Sequence, residues 1–205
     1  MKCNRALWAA ALIALLGGCG MAERDDEDRK SYDYLTLHDE AFAQYCLKAF
    51  DTNRDGRLSR YEAESVRHIE CRDRGIRSLD QIDAFSRLES IDCSGNELES
   101  LDLTKNRELQ RIHCANNKLR ELSLGSLRRL TELDCRKNLL TEIDLAGNAS
   151  LQRLDCRDNA FSMLDLSPCS VLLKADVRSN PNLSTVYYRA GQQVNYEAPT
   201  VLFAR

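Results

Sequence analysis

From Leu88 onward the chain returns to one pattern every 21 residues, and a repeat that short leaves few folds open. Leu88, Ile91, Cys93, Asn96 and Leu98 recur as Leu109, Ile112, Cys114, Asn117 and Leu119, then as Leu130, Leu133, Cys135, Asn138 and Leu140, then as Leu151, Leu154, Cys156, Asn159 and Phe161. A degenerate unit precedes them, with Val66, Ile69, Cys71, Ile76 and Leu79. Another follows, with Leu172, Val177, Asn180, Leu183 and Val186. A unit of this size cannot bury its own apolar residues, so the units must stack into a solenoid in which each coil contacts its neighbours.

Stacking turns single positions into columns, because equivalent residues of adjacent coils lie about 4.8 Å apart, like neighbouring strands. Cys71, Cys93, Cys114, Cys135 and Cys156 become one buried ladder. A free cysteine packs as a small apolar residue, and apolar burial raises its pKa and makes it inert. Most of the nine cysteines are therefore read as core rather than as a disulfide framework. One cysteine per coil, with no paired CxxC, also argues against a metal site. Asn96, Asn117, Asn138, Asn159 and Asn180 form a second ladder, whose amides can bond the turn backbone of successive coils.

The pattern LxxLxCxxNxL resembles the leucine-rich repeat, with cysteine in place of the sixth-position leucine. Its second half, as in Leu98-Glu-Ser-Leu101-Asp-Leu103-Thr-Lys-Asn106, nearly repeats the first. That nested form resembles a bacterial class in which both sides of each coil are extended. The resemblance implies a mostly β fold, a leucine-rich-repeat solenoid of about six coils over 69–186. Residues 187–205 are expected to form a C-terminal cap, with Tyr187, Tyr188, Tyr196, Val201 and Phe203 available to cover the last coil.

The outward positions of the front strands carry charge. One column reads Glu70, Asp92, His113, Asp134, Asp155 and Asp176, and two residues further along stand Arg72, Ser94, Ala115, Arg136, Arg157 and Arg178. Arg111, Glu132, Arg153 and Lys174 flank the stripe on its other side. Stacked carboxylates repel, so flanking arginines would stabilise the stripe by cross-strand pairing. Two readings of this face stand: a solvated, self-neutralising surface, or a partner-binding face, since solenoids of this kind commonly bind through that surface. The second assigns Asp92, Arg111, His113, Asp134, Arg136, Asp155, Arg157 and Asp176 to an unknown protein or glycan ligand.

Before the repeats, Asp51-Thr-Asn53-Arg-Asp55-Gly56-Arg57-Leu58-Ser59-Arg-Tyr-Glu62 resembles the twelve-residue calcium loop of the EF-hand. A hard cation takes about six or seven oxygens. Asp51, Asn53 and Asp55 offer side-chain oxygens from alternate positions, Arg57 its backbone carbonyl, Ser59 a held water and Glu62 both carboxylate oxygens. Gly56 permits the sharp turn, and Leu58 is expected to tuck the loop against its helices. Upstream, Thr36 and Asp39 resemble a capping box ahead of a helix carrying Phe42, Cys46, Ala49 and Phe50 on one face. Downstream, Tyr61, Glu62, Ala63 and Val66 begin an exit helix. The resemblance implies an α-helical EF-hand cap over 35–68 with Ca2+ as ligand. A single loop with three carboxylates points to weak or moderate affinity, and whether the ion is structural or regulatory stays open.

The N-terminus reads as an export signal. Lys2 and Arg5 precede an apolar run, Ala6 to Leu16, too short to span a bilayer. Leu16-Gly17-Gly18-Cys19 resembles the lipobox of bacterial lipoproteins. That implies a signal peptide over 1–18, lipid on Cys19, and membrane anchorage at the outer membrane or cell surface. The acidic stretch within 19–34 reads as a solvated tether, and it also resembles the surface-export signals of some lipoproteins.

With 30% charged residues and a net charge of −3, no basic excess suggests nucleic acid. His113 beside Asp92 and Asp134 has no nucleophile placed with it, so an enzyme is disfavoured. The whole arrangement resembles bacterial leucine-rich-repeat lipoproteins with an N-terminal EF-hand-like cap. It implies a calcium-binding surface or periplasmic lipoprotein that acts as an interaction or adhesion module; a calcium-responsive regulatory protein is the alternative.

Overall fold

The computed structural model describes residues 33–197 and 200–204, in which the repeats wind into a parallel β-solenoid. The front is one seven-stranded sheet. Its strands, in spatial order, are β1 (His68–Glu70), β2 (Ser90–Asp92), β4 (Arg111–His113), β6 (Glu132–Asp134), β7 (Arg153–Asp155), β9 (Lys174–Asp176) and β11 (Gln193–Asn195). The back holds β3 (Ser100–Asp102) paired with β5 (Glu121–Ser123), and a second sheet of β8 (Met163–Asp165), β10 (Thr185–Tyr188) and β12 (Val201–Ala204).

Each front strand is short because only its middle residue points inward and a turn soon follows. Ile69, Ile91, Ile112, Leu133, Leu154 and Ala175 are all buried and stand in register from coil to coil. Removing a leucine or isoleucine side chain of this kind from water contributes about 1.5–3 kcal/mol. The turn comes at the same position in every coil: Asp73, Gly95, Asn116, Lys137, Asp158 and Ser179 all adopt left-handed backbone angles, with φ from +52° to +73°. Glycine takes this conformation freely, and asparagine and aspartate tolerate it better than most residues.

Both expected ladders are present. Cys71, Cys93, Cys114, Cys135 and Cys156 are buried and free, and Cys46 of the helical segment and Cys169 of the back turn are buried and free as well. Apolar burial pushes the Cys71 thiol up to about 12 and raises the thiols of Cys93, Cys114 and Cys156 well above their ordinary value. Each asparagine of the second ladder ties two coils together. Asn138 Nδ2 donates to the Cys114 and Cys135 carbonyls, both at 3.0 Å, and its Oδ1 accepts from Leu119 N at 3.0 Å.

Two helices precede the solenoid, α1 (Glu40–Phe50) and α2 (Arg60–Ser65). The Thr36–Asp39 capping box does not form: Asp39 itself is the N-cap, and its side chain accepts from Phe42 N at 2.9 Å. The reason lies in the first coil, whose Arg77 and Ser78 amides donate to the other oxygen of Asp39 at 2.7 and 3.2 Å. One side chain thus starts the helix and ties it to the solenoid. Tyr45 Oη accepts from Glu70 N at 2.8 Å, which satisfies a backbone donor on the free edge of β1. Phe42 and Cys46 are buried as expected and Phe50 is half-buried, while Ala49 faces solvent.

At the other end, the segment expected as a separate cap carries β11 and β12, which add a strand to the front and back sheets. Val194 stands in register with Ala175, and Leu202 with Val186.

Candidate functional site

Two regions hold the residues singled out from the sequence. The first is the loop between α1 and α2, which is laced by its own side chains. Asp51 Oδ2 accepts from Gly56 N at 2.9 Å, Asn53 Oδ1 from Asp55 N at 3.0 Å, and Asp55 Oδ1 from Arg57 N at 2.9 Å. Gly56, at φ +80°, makes the bend that these bonds require. Glu62 closes the loop from α2. Its Oε1 accepts from Thr52 N, Thr52 Oγ1 and Asn53 N at 2.8, 2.9 and 3.3 Å, and its Oε2 from Ser59 N and Oγ at 3.0 and 2.8 Å. Burial works against this carboxylate, but the donors of Ser59 and Thr52 outweigh it and hold the pKa down to about 2.

Among the described residues no group of three or more His, Cys, Asp or Glu side chains is arranged to hold a metal ion. The donor chemistry still fits a hard cation. All the side chains concerned offer oxygen from alternate positions. Asp51 Oδ1 is buried with no hydrogen-bond partner, an orphaned anionic oxygen that a cation would satisfy.

Sequence reasoning missed Tyr34. Its hydroxyl donates to Asp55 Oδ2 at 2.9 Å, and its ring lies 3.6 Å beneath the Arg57 guanidinium. Backbone bonds from Leu35 N to Leu58 O and from Arg60 N to Asp33 O, both 2.8 Å, clamp this segment against the loop exit. Tyr34 lies far from the loop in sequence, so only the antiparallel pairing at Ser59 could reveal it.

The second region is the front face. Its acidic column is zipped by the neighbouring cations. Arg157 forks onto Asp155 at 2.9 and 2.7 Å, and Arg178 forks onto Asp176 at the same distances. Arg136 Nη1 lies 3.6 Å from Asp134 and 3.4 Å from Asp155. Asp92 is paired with Arg72, and His113 Nδ1 lies 3.2 Å from it; His113 Nε2 is 3.6 Å from Glu132. Burial opposes the charge on Asp92, Asp155 and Asp176, yet arginine and backbone donors hold all three carboxyls low. At Asp134 burial wins and the carboxyl is raised. The structure thus brings seven of the eight front-face residues into two pairing groups, Asp92 with His113, and Asp134, Arg136, Asp155, Arg157 and Asp176. Arg111 stands outside it, exposed and with no ion pair among the described residues.

Cys19, the expected signal segment 1–18 and nearly all of the expected acidic tether lie outside the described residues. No helix among the described residues is long and apolar enough to cross a membrane.

Parallel sheets front and back, a buried cysteine ladder and an asparagine ladder define the class: a cysteine-ladder leucine-rich-repeat solenoid. The functional domain of InlJ from Listeria monocytogenes, which includes a cysteine ladder, superposes with a TM-score of 0.65 at 26% identity, over 74% of this chain and 36% of that one. This chain therefore spans about a third of the length of that solved structure. Internalin C2 from the same organism matches at 19% identity and a TM-score of 0.46, over 82% of this chain and 93% of that one. No protein-family model and no curated protein matches the sequence.

Proposed function

We propose that this chain is an exported, lipid-anchored binding module that engages a protein or glycan partner across its front face, with a calcium ion in the 51–62 loop. The observation that carries the reading is the front sheet. It presents columns of charged side chains on parallel strands, and a groove of about 390 Å³ runs over β6, β7 and β9 between Asp134, Arg136, Asp155, Arg157 and Asp176. Rigid elements hold binding groups more exactly in place than loops do. The lipid anchor rests on the Leu16–Cys19 sequence alone. Acyl chains on Cys19 would hold the module at a membrane surface, and the acidic tether would lift it clear.

In the loop, Asp51, Asn53, Asp55 and Glu62 would hold the ion through side-chain oxygens, Arg57 through its carbonyl and Ser59 through water. The bound ion supplies positive charge that neutralises clustered carboxylates. Because Glu62 opens α2, which leads directly into β1, a filled loop would fix the helical segment on the first coil.

A photo-crosslinking residue in place of Arg136 should capture a partner from intact cells or host extract, whereas the same residue in place of Asp144, on the back, should not. Capture from both positions, or only from the back, would count against the front face. Calorimetric titration with calcium tests the loop, and Glu62→Gln should abolish the heat. A dissociation constant far below the calcium of the medium makes the ion structural. One within its range makes the protein a calcium-responsive regulator.

A further inference from the structure

The front face carries two kinds of cation, and only one kind is used by the fold. Arg72, Arg136, Arg157 and Arg178 are spent on the acidic column. On the parallel row at the start of the same strands, Arg111, Arg153 and Lys174 are exposed and carry no ion pair among the described residues. Arg153 and Lys174 stand directly opposite each other across β7 and β9, while Glu132, opposite Arg153 on the other side, has its ion pair with His113 at 3.6 Å instead. Like charges so placed repel, and they contribute nothing to the core, which Leu154 and Ala175 fill from the inner side of those strands.

Beside this pair the surface changes character. The position just before each front strand is Glu89, Gln110, Thr131 and Gln152 in successive coils, and then Leu173, which is 61% exposed. Two residues earlier the column runs Arg87, Glu108, Arg129 and Ser150, and then Val171, 48% exposed. Two apolar side chains thus replace polar ones in the coil that carries Lys174, next to the coil of Arg153.

We propose that Arg153 and Lys174, with Leu173 and Val171 at their edge, form the docking point for an acidic polypeptide segment that also carries apolar side chains. This rests on the front-face reading above and names the chemistry of its partner. Carboxylates supply the counter-charges that the pair lacks, and an apolar side chain of the same segment covers Leu173 and Val171. In an extended segment, residues two apart point to the same side about 7 Å apart, so acidic and apolar side chains can meet their respective surfaces within one short stretch. A purely anionic polysaccharide would meet the cations but leave the two aliphatic side chains in water, which favours the polypeptide.

The test uses the full chain and three fluorescent probes: a peptide alternating Glu and Leu, a peptide alternating Glu and Ser, and dextran sulfate. The Glu/Leu peptide should bind most tightly of the three and weaken with added salt. Arg153→Ala and Lys174→Ala should each weaken it about fivefold, the range of an exposed ion pair. Leu173→Ser should weaken it about tenfold or more while leaving the Glu/Ser peptide unchanged.

Dextran sulfate binding that depends on Arg153 and Lys174 but is indifferent to Leu173→Ser, with no preference for the Glu/Leu peptide, would overturn the polypeptide and point to a glycan. Peptide binding that is lost in Arg136→Ala and Arg157→Ala but unchanged in Arg153→Ala and Lys174→Ala would overturn this docking point and leave the front-face reading standing. Binding that responds only to the back-face change Asp144→Lys would sink both.

Discussion

Removing one rung of the asparagine ladder gives a change whose size can be worked out from the bonds themselves. In Asn138→Ala, the Cys114 carbonyl keeps its second donor, Asn117 Nδ2 at 3.1 Å, and the Cys135 carbonyl keeps Asn159 Nδ2 at 3.0 Å. The Arg136 carbonyl, which Asn138 Nδ2 reaches at 3.3 Å, keeps Asn116 N at 3.0 Å, and these three losses cost about 1 kcal/mol together. The buried Leu119 N–H has no such replacement for Asn138 Oδ1, and an unsatisfied buried donor costs about 1–3 kcal/mol. The total is about 3 kcal/mol, or a drop of about 6–12 °C in melting temperature for a chain of this size. Because the lost bonds join adjacent coils, the effect falls on the coupling between coils rather than on one coil alone. Urea unfolding followed by circular dichroism measures it.

Asn138→Asp gives an internal check. The carboxylate still accepts from Leu119, but it has no proton to donate to the two carbonyls, and once protonated it can donate to one of them, so its pKa in the folded state is raised. The sign follows: this variant should be weakest above the ordinary aspartate range and recover as pH falls, while Asn138→Ala shows no such recovery. A loss below about 1 kcal/mol for Asn138→Ala would refute the reasoning.

Other outcomes follow from the same contacts. In metal-free protein Glu62→Gln should cost about 3 kcal/mol at neutral pH, from a carboxyl held at about 2 against its ordinary 4.5. A depressed carboxyl stabilises fully above its unfolded value, so this difference should vanish as pH falls from 4.5 through about 2; urea unfolding in chelator showing the same loss throughout that window would contradict it. The ladder thiols should resist alkylation in the folded protein and react only on unfolding, and rapid labelling of Cys114 or Cys156 without unfolding would show that they are not sealed in a core. Cys19→Ser should move the protein from the detergent-extracted to the soluble fraction; retention at the membrane would remove the lipid anchor from the account.

Much of the solenoid was legible because its chemistry repeats in step with its geometry. A cysteine and an asparagine at fixed positions of each unit imply columns, and columns imply stacked parallel strands. The signal fades where the residues stop repeating. Of β11 only Val194 keeps an inward apolar residue, and Leu183 falls 22 rather than 21 residues after Phe161, so the pattern that marks the earlier coils is lost there. The start of α1 was misplaced because Asp39 serves two elements, and its bonds to Arg77 and Ser78 are invisible in a local pattern. On the front face the sequence revealed which charges share a column. It could not reveal that the arginines beyond each strand reach back to the acids while Arg153 and Lys174 stay unspent, because that depends on side-chain direction rather than on spacing.

Side-chain footprinting of the full chain, with and without its captured partner, tests the central claim most directly. Hydroxyl radicals label exposed side chains. His113 lies on the front face and Leu173 at its edge, while Met163 and Phe203 are exposed on the back strands. The account predicts that labelling of His113 or Leu173 falls in the complex while Met163 and Phe203 are labelled as before; protection of Met163 and Phe203 with the front left open would contradict it.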